Sequence, residues 1–227
     1  MSRFGWSTSN YLDMTPISFA HAPVTLAAWV RPTAFNTSYI MATWAAGGSN
    51  NCVQIRMESS GVVSIQWTTA LFLSTTAAMT LNKWHHVCVW AHPTLGGAVY
   101  LDGSKGKASS GTTGNSFTAT HLLIGITGST STPTAPLNAG DIGEASMWTD
   151  VLTDAEIDKL AMGLDPRMIR REQLKAHVAM MGGPTFEVND VNLGLPSTVI
   201  GALSQNQDVP RLYKPRRPWP ISIPSYG

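Results

Sequence analysis

Charge is scarce in this sequence. Lysine, arginine, aspartate and glutamate make up 13 % of 227 residues, about half of what a soluble domain usually carries. Two readings fit: a surface largely covered by partners, or an ordinary Thr/Ser-rich β-protein. The formal net charge of +1 asks for neither a nucleic acid nor an anionic membrane. Cysteine is nearly absent: Cys52 and Cys88 are no disulfide framework, and each sits inside an expected strand, where two buried free thiols are the simpler state. No apolar run approaches the length of a membrane span, and Met1 to Asp13 lacks the apolar stretch of a signal peptide. The expectation is synthesis that ends in the cytoplasm.

The signatures of common enzymes are missing too. There is no His-Glu-x-x-His, no phosphate-binding Walker loop, no Cys-x-x-Cys and no Gly-x-Ser-x-Gly elbow. Sandwich glycosidases need two carboxylates facing one bond. The one closely spaced acidic pair, Glu156 and Asp158, falls on an expected helix. Glu58 is isolated, and Glu144 has Ile142 and Ser146 as its alternate neighbours. The expectation is a protein that is not an enzyme and carries no cofactor or metal. No internal repeat, heptad or collagen period is present.

What the sequence does contain is alternation. From Thr25 to Arg31, Leu26, Ala28 and Val30 share one face, and Pro32 stops the strand. Val53, Ile55 and Met57 lie together, opposite Gln54 and Arg56, and the pattern resumes after Gly61 as Val63, Ile65 and Trp67, as a hairpin turning at that glycine would give. Trp84 to Ala91 and Ala98 to Leu101 read as paired strands, the second closed by an Asp102-Gly103 tight turn. Lys105 and Lys107 begin an exposed edge. Further strands are expected at His121–Gly125 and Ile142–Trp148. Many short strands at this spacing predict two stacked sheets, since a sheet with one apolar face needs a second layer to cover it.

One helix is announced by Thr153 as N-cap and Glu156 three residues on, the two halves of a capping box. Ile157, Leu160 and Ala161 share its face and Gly163 ends it. Asp165-Pro166 then starts a short turn. Leu174, Ala176 and Val178 alternate, and the chain runs on to a proline-rich end containing Tyr213, Arg216, Arg217, Trp219 and Tyr226. Such a segment is a loose end, an arm on a neighbour, or a strap on its own sandwich. The aromatic side chains favour the arm, so these five residues are the expected interface.

Chemistry has few footholds. His85 and His86 are adjacent in a strand and point to opposite faces, so they cannot chelate one ion together. Asp141 with Asn138, joined by Asp102 if loops converge, offers oxygen ligands for calcium, although a turn aspartate bonding its own backbone explains each more simply. Trp44, Trp67, Trp90, Trp148, Tyr39 and Tyr100 offer rings for sugar stacking, but tryptophans in an all-β protein also serve as core and interface.

The stretches Ala22–Pro32, Trp84–Trp90, Ala98–Gly103, His121–Gly125, Gly140–Trp148 and Val151–Ile157, in that order, resemble the landmarks of the laminin-G-like, concanavalin-A-like lectin/glucanase domain. The resemblance implies an all-β jelly-roll sandwich of two antiparallel sheets over residues 1–165, with a short helix near 153–161. Residues 166–227 are then a strand-containing extension ending in a proline-rich, extended C-terminal arm. The segment from Met162 to Leu174, with the later Asp208 to Tyr213, is similar to tailed-phage virion proteins, although His177, Val178 and Ala179 stand where those relatives carry a Tyr-Trp-Pro-like piece.

The resulting expectation is a non-enzymatic bacteriophage virion protein assembled in the host cytoplasm, a capsid decoration or cement protein. Its arm would contact neighbouring subunits, as a homo-oligomer such as a trimer and with the major capsid or another virion protein. The alternative is a lectin-like carbohydrate-binding module of a phage tail, with a glycan as partner.

Overall fold

A computed structural model describes residues 2–14, 19–20, 23–45, 52–67, 71–110, 118–128, 133–180, 186–188, 196–201 and 203–206. The alternating stretches become strands of two antiparallel sheets. In the first sheet the order is Ser104–Ser109, Gly96–Leu101, His85–His92, Val24–Pro32, Gly140–Trp148, Ser2–Phe4 and Ser204–Asn206. Leu174–Val178 also pairs with Gly140–Trp148, beyond a bulge. In the second sheet the order is Phe186–Val188, Pro196–Ile200, Tyr11–Met14, His121–Ile124, Ser38–Trp44, Cys52–Met57, Val62–Trp67 and Leu71–Ala78. Strands from beyond residue 166 thus enter both sheets. This is the jelly-roll sandwich expected from the alternation, and side chains alternate between its inside and its outside.

The period of two decides what goes in. Leu26, Ala28 and Val30 from the first sheet meet Val53, Ile55, Met57, Val63, Ile65 and Trp67 from the second in one core, with Leu122, Ile124, Ile142 and Met147. The Ala176 and Val178 positions join the same core. Hairpin geometry follows turn chemistry: Gly61 has φ +83°, and Asp102 and Gly103 have φ +51° and +79°, the two successive positive values of a tight primed turn. Where the two sheets approach at one side, Gly106 faces Thr75. A Cβ there would stand 2.8 Å from the Thr75 Cα, so only glycine lets the edge strand Ser104–Ser109 lie against Leu71–Ala78.

The helix Asp154–Ala161 starts as its sequence requires. The Glu156 amide donates to Thr153 Oγ1 at 3.3 Å, and the Thr153 amide donates back to Glu156 Oε2 at 2.7 Å. Ile157 and Leu160 bury a second cluster on the outside of the first sheet with Ala27, Cys88, Trp90, Tyr100 and Trp148. Polar groups lock it there. Tyr100 donates to Asp154 at 2.6 Å, Trp148 Nε1 donates to the Ile169 carbonyl at 2.9 Å, and Arg170 reaches both Glu156 and Asp150 at 2.8 and 2.6 Å. Cys52 and Cys88 are both buried and unbridged.

Candidate functional site

With one sheet's outside covered by the helix, the outside of the second sheet becomes the place to look. The residues on it are the alternates of the core residues: Tyr11, Asp13, His121, Leu123, Trp44, Gln54, Arg56, Ser64 and Gln66, set across from one another by the pairing of the strands. A register shift between Tyr39 and Met41 puts both Ile40 and Met41 into the core and leaves Tyr39 outside, opposite Arg56. Phe72 stands opposite Gln66 on the edge strand.

Half of this face is closed. The short ladder of Thr127–Gly128 with Pro133–Thr134 lies over it, and Gly128 sits so close to the Trp44 ring that a Cβ would overlap it. Beneath it Trp44, Leu123 and Ile126 form a small buried cluster against Tyr11. His121 packs on Trp44 with ring centroids 4.8 Å apart, and its Nδ1 lies 3.1 Å from both Asp13 oxygens. Burial and the neighbouring Asp13 raise the Tyr11 phenol above its ordinary value.

The other half sets one exposed ring beside half-buried polar side chains, with Gln54, Ser64 and Thr127 buried beneath them. Phe72 is 52 % exposed, and the Arg56 guanidinium lies over it and over Tyr39, 5.4 and 5.8 Å from the two ring centroids. A hydrogen-bonded row runs across the strands. Thr127 Oγ1 donates to Gln54 Oε1, Gln54 Nε2 donates to Gln66 Oε1 at 2.9 Å, and the Tyr39 hydroxyl donates to the same oxygen at 3.4 Å. Burial keeps the Tyr39 phenol above its usual value despite the neighbouring Arg56, so it remains a neutral donor. Glu58 is held twice, by Ser64 Oγ at 2.6 Å and by an Arg56 terminal nitrogen at 3.2 Å. The Arg56 Nε–H is buried with no hydrogen-bond partner among the described residues. A half-exposed ring beside a fixed row of amide, hydroxyl, guanidinium and carboxylate groups can take an apolar sugar face on the ring and its hydroxyls on the polar groups.

The rings singled out from sequence are mostly core, as the simpler reading of them has it. Of the six candidate rings, Tyr39 alone reaches this open face. Trp44, Trp67, Trp90, Trp148 and Tyr100 are buried. Among the described tryptophans only Trp29 and Trp84 are half-buried, both on the first sheet near Arg31, whose guanidinium lies over Trp84. Asp141, the calcium candidate, instead receives two nitrogens of Arg31 at 2.7 and 2.6 Å. Asp102 accepts from the His86 amide at 2.8 Å and contacts His85 Nδ1 at 2.7 Å. His85 Nε2 meets both the Thr80 N–H at 2.8 Å and the Thr80 carbonyl at 3.2 Å. His86 turns away to the Trp29 ring, and burial drives its pKa down to about 4, against the opposing pull of Asp102. Glu144 sits at a bulge with φ +51° and bonds His177 at 2.7 Å. Among the described residues no group of three His, Cys, Asp or Glu side chains is placed to hold a metal, and no helix is long and apolar enough to cross a membrane. Tyr213, Arg216, Arg217, Trp219 and Tyr226 lie outside the described residues.

Phe72 has no sequence signal, because the strand Leu71–Ala78 alternates weakly, and the signal of Ser38–Trp44, which carries Tyr39, is broken by a bulge that interrupts the period of two.

Two antiparallel sheets of this order, one partly covered by a helix and the other bearing a ring-and-amide face, define a lectin-like β-sandwich. Residues 7–158 match the laminin-G-type model of the concanavalin A-like lectin/glucanases superfamily, and the chain belongs to that superfamily. Among solved structures, a Bacteroides ovatus protein assigned to carbohydrate binding is 16 % identical, with a TM-score of 0.64 over 91 % of this chain and 60 % of its own. The native heptameric SAP-like pentraxin of Limulus polyphemus is 16 % identical, with a TM-score of 0.54 over 85 % of this chain and 96 % of its own. The CBM40 of the Ruminococcus gnavus IT-sialidase, bound to α2,3-sialyllactose, is 16 % identical, with a TM-score of 0.52 over 61 % of this chain and 81 % of its own. Identities this low establish the fold alone. No curated protein sequence matches.

These findings correct the expectation of a bacteriophage virion protein and capsid decoration. What the chain matches is a lectin/glucanase superfamily and folds from a pentraxin and carbohydrate-binding proteins, none of them described as a virion component. The physical reason is plain: the landmarks from Ala22 to Ile157 specify a sandwich that hosts many functions, and of the pieces that suggested a virion role, Met162–Leu174 packs its apolar residues Leu164, Ile169 and Leu174 on the first sheet, while Asp208–Tyr213 and the proline-rich end lie outside the described residues.

Proposed function

We propose that this chain is a carbohydrate-binding, lectin-like module that takes its glycan on the open half of the second sheet's outer face. The observation that carries this reading is the exposed Phe72 ring, with Arg56 laid between it and Tyr39 beside the Gln54–Gln66 row. The ring offers a flat apolar surface to the C–H groups of a sugar. The row, bonded within itself, holds the half-buried Tyr39 and Gln66 in place, as Ser64 holds Glu58 and through it Arg56, so little side-chain freedom is lost when hydroxyls bind beside the ring. The superfamily and the carbohydrate-binding neighbours support the same reading.

The module binds without turning its ligand over. Glu58 is held by Ser64 and Arg56, and Asp13 faces His121 under the closed half, so neither is poised as a proton donor to a glycosidic oxygen. The test is a glycan array on the whole chain, with Phe72→Ala beside it. Binding that disappears in the variant, with the bound glycan recovered intact by mass spectrometry, is the expected result. Array silence for the wild type, or full binding by the variant, overturns it.

A further inference from the structure

Resting on the glycan-binding reading, we infer that the open face selects neutral, hydroxyl-rich sugars and rejects sialylated and other carboxylate-bearing ones, and that Glu58 sets this choice through Arg56. A partly covered arginine flanked by rings invites the opposite conclusion, because a guanidinium is the usual receptor for a sugar carboxylate. Here that charge is already matched. Glu58 contacts Arg56 at 3.2 Å, and Ser64 Oγ fixes the Glu58 carboxylate from the other side at 2.6 Å. Both side chains are mostly covered, at 23 % and 17 % exposure, so water screens them less than it would a surface pair.

A ligand carboxylate seated on Arg56 would have to share the guanidinium with Glu58, two like charges within a few ångströms. A diol would not. The Glu58 carboxylate has accepting positions beyond those used by Ser64 and Arg56, Arg56 is a donor, and the Tyr39 oxygen, whose proton goes to Gln66, is an acceptor. Gln66 Oε1 is already filled by Gln54 and Tyr39, which holds the row rigid. Vicinal hydroxyls both donate and accept, and they suit a site that presents both kinds of group. A carboxylate only accepts. The neighbouring fold bound to sialyllactose shares the sandwich, whereas the preference drawn here comes from this chain's own Arg56–Glu58–Ser64 contacts.

The experiment is titration calorimetry of the intact chain with matched glycan pairs, neutral and terminally sialylated, chosen from array hits, repeated with Glu58→Gln. Thermal unfolding checks that the variant is folded. The wild type is expected to bind the neutral member at least tenfold more tightly. Glu58→Gln keeps the hydrogen-bonding shape but frees the guanidinium charge, and is expected to move that ratio at least tenfold toward the sialylated member. Preference of the wild type for the sialylated glycan, with sensitivity to Phe72→Ala, overturns the selectivity while leaving glycan binding standing. Glu58→Gln with an unchanged ratio overturns the role of Glu58. Binding of no glycan at all removes both. Because the wild-type ratio alone decides the selectivity, an unfolded variant does not rescue it.

Discussion

The two sheets present their outer faces to very different surroundings. Outside the first sheet, Trp90, Tyr100 and Trp148 are closed over by the helix Asp154–Ala161 and the segment that follows, so aromatic rings there belong to a second core. On the second sheet a short ladder covers Trp44 and stops, leaving Phe72 and Tyr39 with polar neighbours. Ring type does not separate the two; what lies above the ring does. Aromatic content by itself therefore says nothing about binding, whereas a ring left uncovered beside a fixed polar row does.

Substitutions can break this contrast. Trp148→Ala empties the helix side and loses the bond to the Ile169 carbonyl, and is expected to cost about 3–5 kcal/mol in urea unfolding. A loss below about 1 kcal/mol would mean the helix side is no core.

The pH dependence of stability comes next. His86 is buried on the first sheet with its pKa lowered from 6.5 to about 4. The unfolded chain then binds the proton more readily. Stability is full above pH 6.5 and declines as pH falls from there to about 4, by as much as about 3 kcal/mol from this group. Unfolding of wild type and His86→Leu at pH 7 and pH 4.5 should show a shallower decline in the variant; parallel declines would place the acid sensitivity elsewhere.

Thr153→Ala removes the capping box and should cost about 1 kcal/mol, read as a small drop in melting temperature. Phe72→Ala comes last. Its ring is already half in water, so stability should change by less than about 0.5 kcal/mol. A melting temperature unchanged beside lost glycan binding would sharpen the distinction between the faces.

Much of the sandwich was legible because its devices are local. The capping box at Thr153 and Glu156, the Asp102-Gly103 turn and the Val53, Ile55, Met57 alternation each depend on residues near in sequence, and each stands as expected. The candidate face was legible only in pieces. Gln54 and Arg56 were placed on one side of their strand, yet their partners Gln66, Tyr39 and Phe72 come from three other strands whose register no local pattern prints. The covering of Trp44 by Gly128 is of the same kind, since periodicity gives a ring's side of the sheet but not what folds over it.

The pairing of Ser2–Phe4 with Ser204–Asn206 has a consequence in time. Ser2–Phe4 waits for a partner about 200 residues later, and at about 5–20 residues per second a ribosome needs about 10 to 40 s to supply it. Gly140–Trp148, which takes Ser2–Phe4 and Leu174–Val178 on the same flank, is itself made well over 100 residues after Ser2–Phe4. Both neighbours of Ser2–Phe4 in the sheet thus come from far along the chain, and closing so long a loop of chain is the kind of pairing that slows folding.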